Sequence, residues 1–254
     1  MTTSMAHSVI VEGPLTVRRG TRSRFFYAFS VALLVIVLAA FTPTFYLRAQ
    51  VGAPPIPLYL SVHGTVLTTW FVLLVVQTTV AAVGRATLHR RLGMIGAALG
   101  AAVVATGAIA TVRFVPRLNS LGVDIDAQLP QLSAIVWGDL GLLAAFSVLL
   151  SAAIVCRRWP QTHKRLVLLA SINLVPPALA RIAQWPVFGG VDQVLFSLGG
   201  LLLLLLVLIA HDLASSRRVH SATLFGASVV LLLAVGALAA GGSDLAQSVI
   251  RELA

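Results

Sequence analysis

Long apolar runs alternate with short polar segments along this chain. Seven runs can be delimited, at residues 25–47, 58–83, 92–115, 132–156, 165–185, 193–213 and 223–241. A helix needs about 20 apolar residues to cross the hydrocarbon core of a bilayer, and each run comes close to that length or exceeds it. Because lipid offers the backbone no hydrogen-bond partner, a crossing segment must satisfy its own groups, as a helix does. The pattern therefore predicts an all-α polytopic bundle of seven transmembrane helices over residues 25–241.

The segments that flank this bundle have a different character. Residues 1–24 are mostly polar and end in a group of arginines, which predicts a disordered cytosolic tail. Residues 242–254 begin with Ser243, a good helix-capping residue, and place apolar positions on one face of a short helix. We expect this segment to lie as an amphipathic helix on the outer membrane surface.

Composition and charge agree with a membrane protein and exclude an ordinary soluble domain. The chain is 58% hydrophobic and 10% charged, whereas soluble proteins are about a quarter charged. The net charge of +10 comes from arginines that stand between the apolar runs, which is not the continuous basic face of a nucleic-acid-binding protein. With the N-terminus inside, thirteen of the eighteen basic residues fall in inner segments. The positive-inside rule then places the N-terminus inside and the C-terminus outside, in a bacterial inner membrane.

Several kinds of site are excluded by the residues that the chain lacks. A single cysteine, Cys156, allows neither an internal disulfide framework nor a multi-cysteine metal centre. The last apolar run contains no lysine for a retinal Schiff base. No zinc-protease, nucleophile-elbow, P-loop or dinucleotide motif occurs.

Ionisable residues within the apolar runs are the first candidates for a site, because charge at bilayer depth is costly. His63 and Asp139 lie near the predicted outer ends of their runs, and Arg113 and Arg181 approach the same layer. The pair Pro176–Pro177 lies one turn before Arg181 and should kink the fifth helix. One interpretation is a ligand or proton site, and the other is a buried ion pair between Asp139 and Arg181 with His63 beside it.

A second candidate layer lies at the predicted inner ends of the runs. His89, His163 and His211 fall there near basic residues, and His220 joins them from a loop as the weakest member of the set. Imidazole is the usual axial ligand of haem, and arginine binds carboxylates such as the haem propionates. The set therefore predicts a haem b site with no other metal, and its propionate partners would be Arg90, Arg91, Lys164 or Arg165. The alternative is that these residues only contact lipid headgroups and terminal helix carbonyls.

Local motifs add a resemblance. The run F-T-P-T-F-Y-L-R that ends the first span is followed by His63-Gly64, by L-H-R-R-L-G at residues 88–93 and by H-K-R-L at residues 163–166. Over about residues 41–222 the chain resembles a family of uncharacterised bacterial polytopic membrane proteins. More distantly it resembles haem-handling and cytochrome oxidase assembly membrane proteins. The family implies no particular activity, and the haem interpretation rests on the positions of His63, His89, His163 and His211.

These observations lead to three hypotheses about function. The first is a haem- or quinone-binding redox protein or cytochrome-assembly factor of the inner membrane. The second is a carrier for a small anion or lipid-like molecule that uses Arg181 and Arg113. The third is a non-catalytic subunit whose partners are other subunits of a membrane complex. The lipid bilayer is a partner in all three, and nucleic acid in none.

Overall fold

The computed structural model describes residues 19–52 and 55–254, and these residues form helices and connecting turns without a strand. The predicted tail lies outside the described residues over positions 1–18. Within the described residues, seven helical segments are long and apolar enough to cross a membrane, which confirms the predicted number. They are Arg24–Tyr46, Leu58–Ala82, Ala86–Ser120, Leu129–Arg158, Pro160–Ala183, Gln193–Ser216 and Ser221–Gly241. We call the two ends of the bundle inner and outer, as the distribution of basic residues predicts.

Ten α-helices make up these spans and the segment that follows them in the described chain. They are α1 (Arg19–Phe41), α2 (Leu58–Ala82), α3 (Ala86–Val112), α4 (Phe114–Ser120), α5 (Leu129–Val155), α6 (Pro160–Ile172), α7 (Pro176–Ala183), α8 (Gln193–Ser216), α9 (Ser221–Gly241) and α10 (Asp244–Leu253). The first span continues past α1 as a π-helical turn over Thr42–Tyr46. The start of α1 at Arg19 differs from the predicted start of the first span at residue 25.

The fifth span is divided inside the bundle, between α6 and α7. Pro176 and Pro177 have no backbone N–H, so the carbonyls one turn earlier lose their usual helical donors. The backbone forms a tighter turn there, in which the N–H groups of Leu174 and Val175 donate to carbonyls three residues earlier instead of four. The division leaves Asn173, whose side chain is fully buried, at the end of α6.

The core of the bundle surrounds this divided span. In its most apolar window 61% of the fifth span is buried, against 17–33% in the other six, so it is the central helix pair. Leu169 of this span is fully buried, and neighbouring helices pack around it through buried side chains such as Phe71 of α2 and Phe146 of α5. Large apolar side chains on the periphery are exposed, among them Leu203, Leu232 and Val235. A surface of this kind is suited to contact with lipid.

The C-terminal helix α10 packs on the outer end of the bundle. Ser243 caps it, since its hydroxyl accepts a hydrogen bond from the N–H of Ala246 at 3.2 Å. Ile250 is fully buried in a small apolar cluster with residues of α4 and α5, whereas Leu245 and Val249 are exposed. The predicted apolar face is therefore divided between a contact with protein and an exposed edge.

Candidate functional site

Two histidines of the predicted inner layer lie close together. His163 is in the first turn of α6, and His89 is in the first turn of α3. Their ring centroids are 6.3 Å apart with the ring planes nearly perpendicular, at 89°. The backbones of α3 and α6 do not pack closely against each other, so the two imidazoles meet across a gap between helices.

The hydrogen bond of His163 fixes which of its nitrogens can bind a ligand. Its Nδ1 lies 2.8 Å from the carbonyl oxygen of Ala153 in α5. Because a carbonyl only accepts, Nδ1 carries the proton, and Nε2 presents a lone pair. This arrangement, with one imidazole nitrogen donating to a backbone carbonyl and the other free to coordinate, is the usual one for a metal-binding histidine.

His89 and its neighbour Gln77 bring buried polar atoms without partners to the same place. Nδ1 of His89 is buried and has no hydrogen-bond partner. The amide nitrogen of Gln77 in α2 donates to the backbone carbonyl of His89 at 3.3 Å, and its Oε1 atom is likewise buried and unpaired. Unpaired buried polar atoms cost about 1–3 kcal/mol each, so two of them beside His163 mark this place as a candidate binding site.

His211 does not join this pair. Its ring stacks on Phe25 of α1 at a centroid distance of 3.7 Å and meets Phe26 edge-on at 5.7 Å. The next residue, Asp212, is fully buried and binds Arg165 of α6 through the Nε and Nη2 atoms, at distances of 2.5–3.2 Å. Arg165 is therefore committed to this ion pair and does not face the histidine pair as a free cation.

The loop residue His220, which precedes α9, also contacts the carboxylate of this ion pair. Its backbone N–H donates to Asp212 at 3.1 Å, and its Nδ1 accepts from the N–H of Ala222, which caps α9. Burial lowers the pKa of His220, and the positive charge of Arg165 lowers it further. Arg218 and Lys164 also lower this pKa, while Asp212 raises it. A lower pKa favours the neutral imidazole, whose Nδ1 can accept this capping hydrogen bond.

The outer candidate residues gather around the division of the fifth span. The Nδ1 atom of His63 in α2 lies 3.2 Å from the hydroxyl oxygen of Thr106 in α3. Arg181 folds back along α7, donates to the carbonyl of Pro177 at 2.9 Å, and places its guanidinium 4.3 Å from the centre of the Phe41 ring. His63 and Arg181 interact electrostatically, so the two side chains belong to one polar region.

Asp139 of α5 is the third member of this region. It interacts electrostatically with Arg181, but the two do not form a direct ion pair. Asn173, from the division itself, donates to the carbonyl of Leu142 at 2.6 Å, one turn along α5, and its Oδ1 atom is buried without a partner. A carboxylate, a guanidinium and an amide therefore surround the division of the fifth span, and the amide oxygen has unused hydrogen-bonding capacity.

Arg113 takes a different place. It is exposed at the junction of α3 and α4, and its guanidinium lies 5.3 Å from the centre of the Tyr59 ring on α2. The structure thus brings His89 and His163 into ring contact, and it links His63 and Asp139 to Arg181 electrostatically without a direct ion pair, while Arg113 contacts Tyr59 and His211 contacts Phe25.

Sequence reasoning did not single out Asn173 or the pairing of Asp212 with Arg165. Asn173 is a polar residue within an apolar run, and that was the signal available for it. Comparisons of the chain with models of protein families, with curated proteins and with solved structures find no match.

Proposed function

We propose that this chain, with its seven apolar helices, is a membrane redox protein that holds one b-type haem between His89 and His163. The observation that carries the proposal is the geometry of this pair. The two ring centroids are 6.3 Å apart, so one nitrogen of each imidazole could be a ligand of the same metal ion.

The number of ligands favours haem over a bare ion. Within residues 19–52 and 55–254, no group of three or more His, Cys, Asp or Glu side chains is placed to hold a metal ion. A structural zinc site would need four protein ligands, whereas two histidines such as His89 and His163 would be enough to hold a b-type haem. When bound, the haem would supply one-electron transfer.

The residues around the pair have separable roles in this proposal. Ala153 holds His163 in the tautomer whose Nε2 can coordinate, and Gln77 fixes the backbone of α3 beside His89. Arg90 and Arg91 follow His89 directly and are exposed. They are the basic residues placed to neutralise the propionates at the inner surface, since Arg165 is bound to Asp212.

An absorption spectrum of the purified protein from haem-replete cells, recorded oxidised and reduced, tests the proposal. We expect a Soret band and a stoichiometry of one haem per chain. His163→Gly and His89→Gly should each lose the low-spin spectrum, and added imidazole should restore it. This rescue separates loss of a ligand from misfolding.

The structure supplies matched controls for these variants. His63→Ala removes an outer histidine and His211→Ala removes an inner one, and both should keep the spectrum because neither residue lies at the pair. A colourless wild-type protein, or a spectrum lost in His211→Ala but kept in His163→Gly, would refute the assignment.

A second function, transport of a small anion, is favoured by one specific observation. The central helix pair is divided beside Arg181 and Asp139, and divided helices with nearby charges form the substrate sites of many carriers. Arg181 makes no direct ion pair with a described carboxylate, so its charge is available to an anion.

We expect Arg181→Gln to abolish uptake of small monocarboxylates into proteoliposomes and Arg181→Lys to retain part of it. Equal uptake by wild type and Arg181→Gln would remove this candidate.

A further inference from the structure

An apolar groove opens on the lipid-facing side of α2 and α3, at the outer end of the bundle. Its volume is about 530 Å³, and its walls include Leu58, Val62 and Ile109. All three side chains are substantially exposed, at 80%, 43% and 48%. The groove therefore lies open to the surroundings of the bundle.

The upper rim of the groove carries a cation without an acidic partner. Arg113 lines it, rests on the ring of Tyr59, and makes no ion pair within the described part of the chain. Arg117 follows four residues later, and its backbone N–H donates to the carbonyl of Arg113 at 3.2 Å, so the helical path continues. Arg117 does not itself line the groove, but it is a second basic residue in the helical turn that follows Arg113.

The lower end of the groove is set by Thr106. Seven residues of helix separate it from Arg113, so the groove runs about 10 Å along α3. The Thr106 hydroxyl donates to the carbonyl of Ala102 at 2.7 Å and faces Nδ1 of His63. With its proton already used, this hydroxyl offers no donor to a polar ligand deep in the groove, and the remaining lining is almost entirely apolar.

We propose that this groove binds one anionic phospholipid. Its phosphate lies at Arg113 and Arg117, and the upper part of one acyl chain fills the groove as far as Thr106. Arginine pairs with phosphate through parallel hydrogen bonds, and a tyrosine at the same depth suits the interface between headgroups and hydrocarbon. The occupant also explains why two arginines stand on the predicted outer side, where the positive-inside rule disfavours them.

Native mass spectrometry of the full chain tests this, with phosphatidylglycerol and phosphatidylcholine of identical acyl chains as probes. We expect the wild type to retain one phosphatidylglycerol in preference to phosphatidylcholine. Arg113→Gln should weaken that retention about fivefold, since one basic residue near a membrane surface contributes about 1 kcal/mol to binding an anionic lipid. Inorganic phosphate in large excess should not displace the lipid, because it cannot occupy the apolar groove.

Two further variants separate the groove from general charge. Arg48→Gln removes an outer arginine that donates to the carbonyl of Thr44 and does not line the groove, so it should retain phosphatidylglycerol like the wild type. Ile109→Trp fills the groove and should lower retention of both lipids while the thermal midpoint stays unchanged. Equal retention of the two lipids by the wild type, or equal losses in Arg113→Gln and Arg48→Gln, would overturn the proposal. The haem spectrum is independent of every one of these outcomes.

Discussion

Replacement of Asp212 tests the energetics of the inner end of the bundle. Its carboxylate is fully buried, and it accepts hydrogen bonds from the Arg165 guanidinium, from the hydroxyl of Thr223 at 2.6 Å and from the backbone N–H of His220 at 3.1 Å. The side chain of Arg165 is 95% buried, so Asp212→Ala would leave a buried positive charge without its counterion. The same substitution would leave the two other hydrogen-bond donors, Thr223 and His220, without their acceptor.

The size of the effect follows from the burial. Breaking a buried ion pair by removing one partner costs about 3–5 kcal/mol, because the remaining charge stays desolvated. For a chain of this size, 1 kcal/mol corresponds to about 2–4 °C in the melting temperature, so Asp212→Ala should melt roughly 10 °C lower. The double variant Arg165→Met/Asp212→Leu removes both charges and should recover most of this loss.

Thermal unfolding in detergent, followed by tryptophan fluorescence, measures these shifts. Asp126→Ala is the matched control, because its ion pair with Arg251 is exposed, with side-chain exposures of 78% and 59%. An exposed pair contributes at most about 1 kcal/mol, so the control should melt close to the wild type. If Asp212→Ala and Asp126→Ala shift the melting temperature equally, the reasoning about burial is wrong.

Three other predictions use the same assay. Gly141→Ala should destabilise the bundle by about 1–3 kcal/mol, because the new methyl group would lie 2.6 Å from the Cβ of Ala237 in α9. Gly138→Ala in the same helix is the control and should be tolerated, because its methyl group would meet no atom within 4 Å. The pKa of His220 is lowered in the folded state, so its contribution to stability should be lost as the pH falls below about 6.5. His220→Asn keeps an acceptor for the capping hydrogen bond and should remove this part of the pH dependence of the melting temperature. Trp70→Phe should cost about 0.5–1.5 kcal/mol through loss of its buried hydrogen bond to Ser171, and an unchanged melting temperature would contradict that estimate.

Local sequence was sufficient to predict the number of spans and the cap of the last helix. Length and hydropathy act over single segments, so seven apolar runs predict seven helices without knowledge of their neighbours. Ser243 as a cap and Pro176–Pro177 as a point of division likewise depend on backbone hydrogen bonds within a few residues. The first span was likewise placed correctly, at residues 25–47 in the sequence and at Arg24–Tyr46 in the structure, because its apolar run is continuous.

The histidine pair could not be singled out from the sequence. His89 and His163 meet although 74 residues separate them, whereas His211, which looked equivalent, stacks on an aromatic ring of α1. Most spans are apolar on all sides, so no amphipathic stripe indicates which face turns inward.

The chain by itself thus determined what crosses the membrane, and the tertiary structure decided which polar side chains meet. Crossing depends on the transfer of each segment from water to lipid, which its own residues fix. Meeting depends on the rotation of each helix about its axis, and that rotation is set by packing against several neighbours at once. The ion pair between Arg165 and Asp212 shows the difference, since both charges were visible in the sequence, and only the approach of α6 to α8 made them partners.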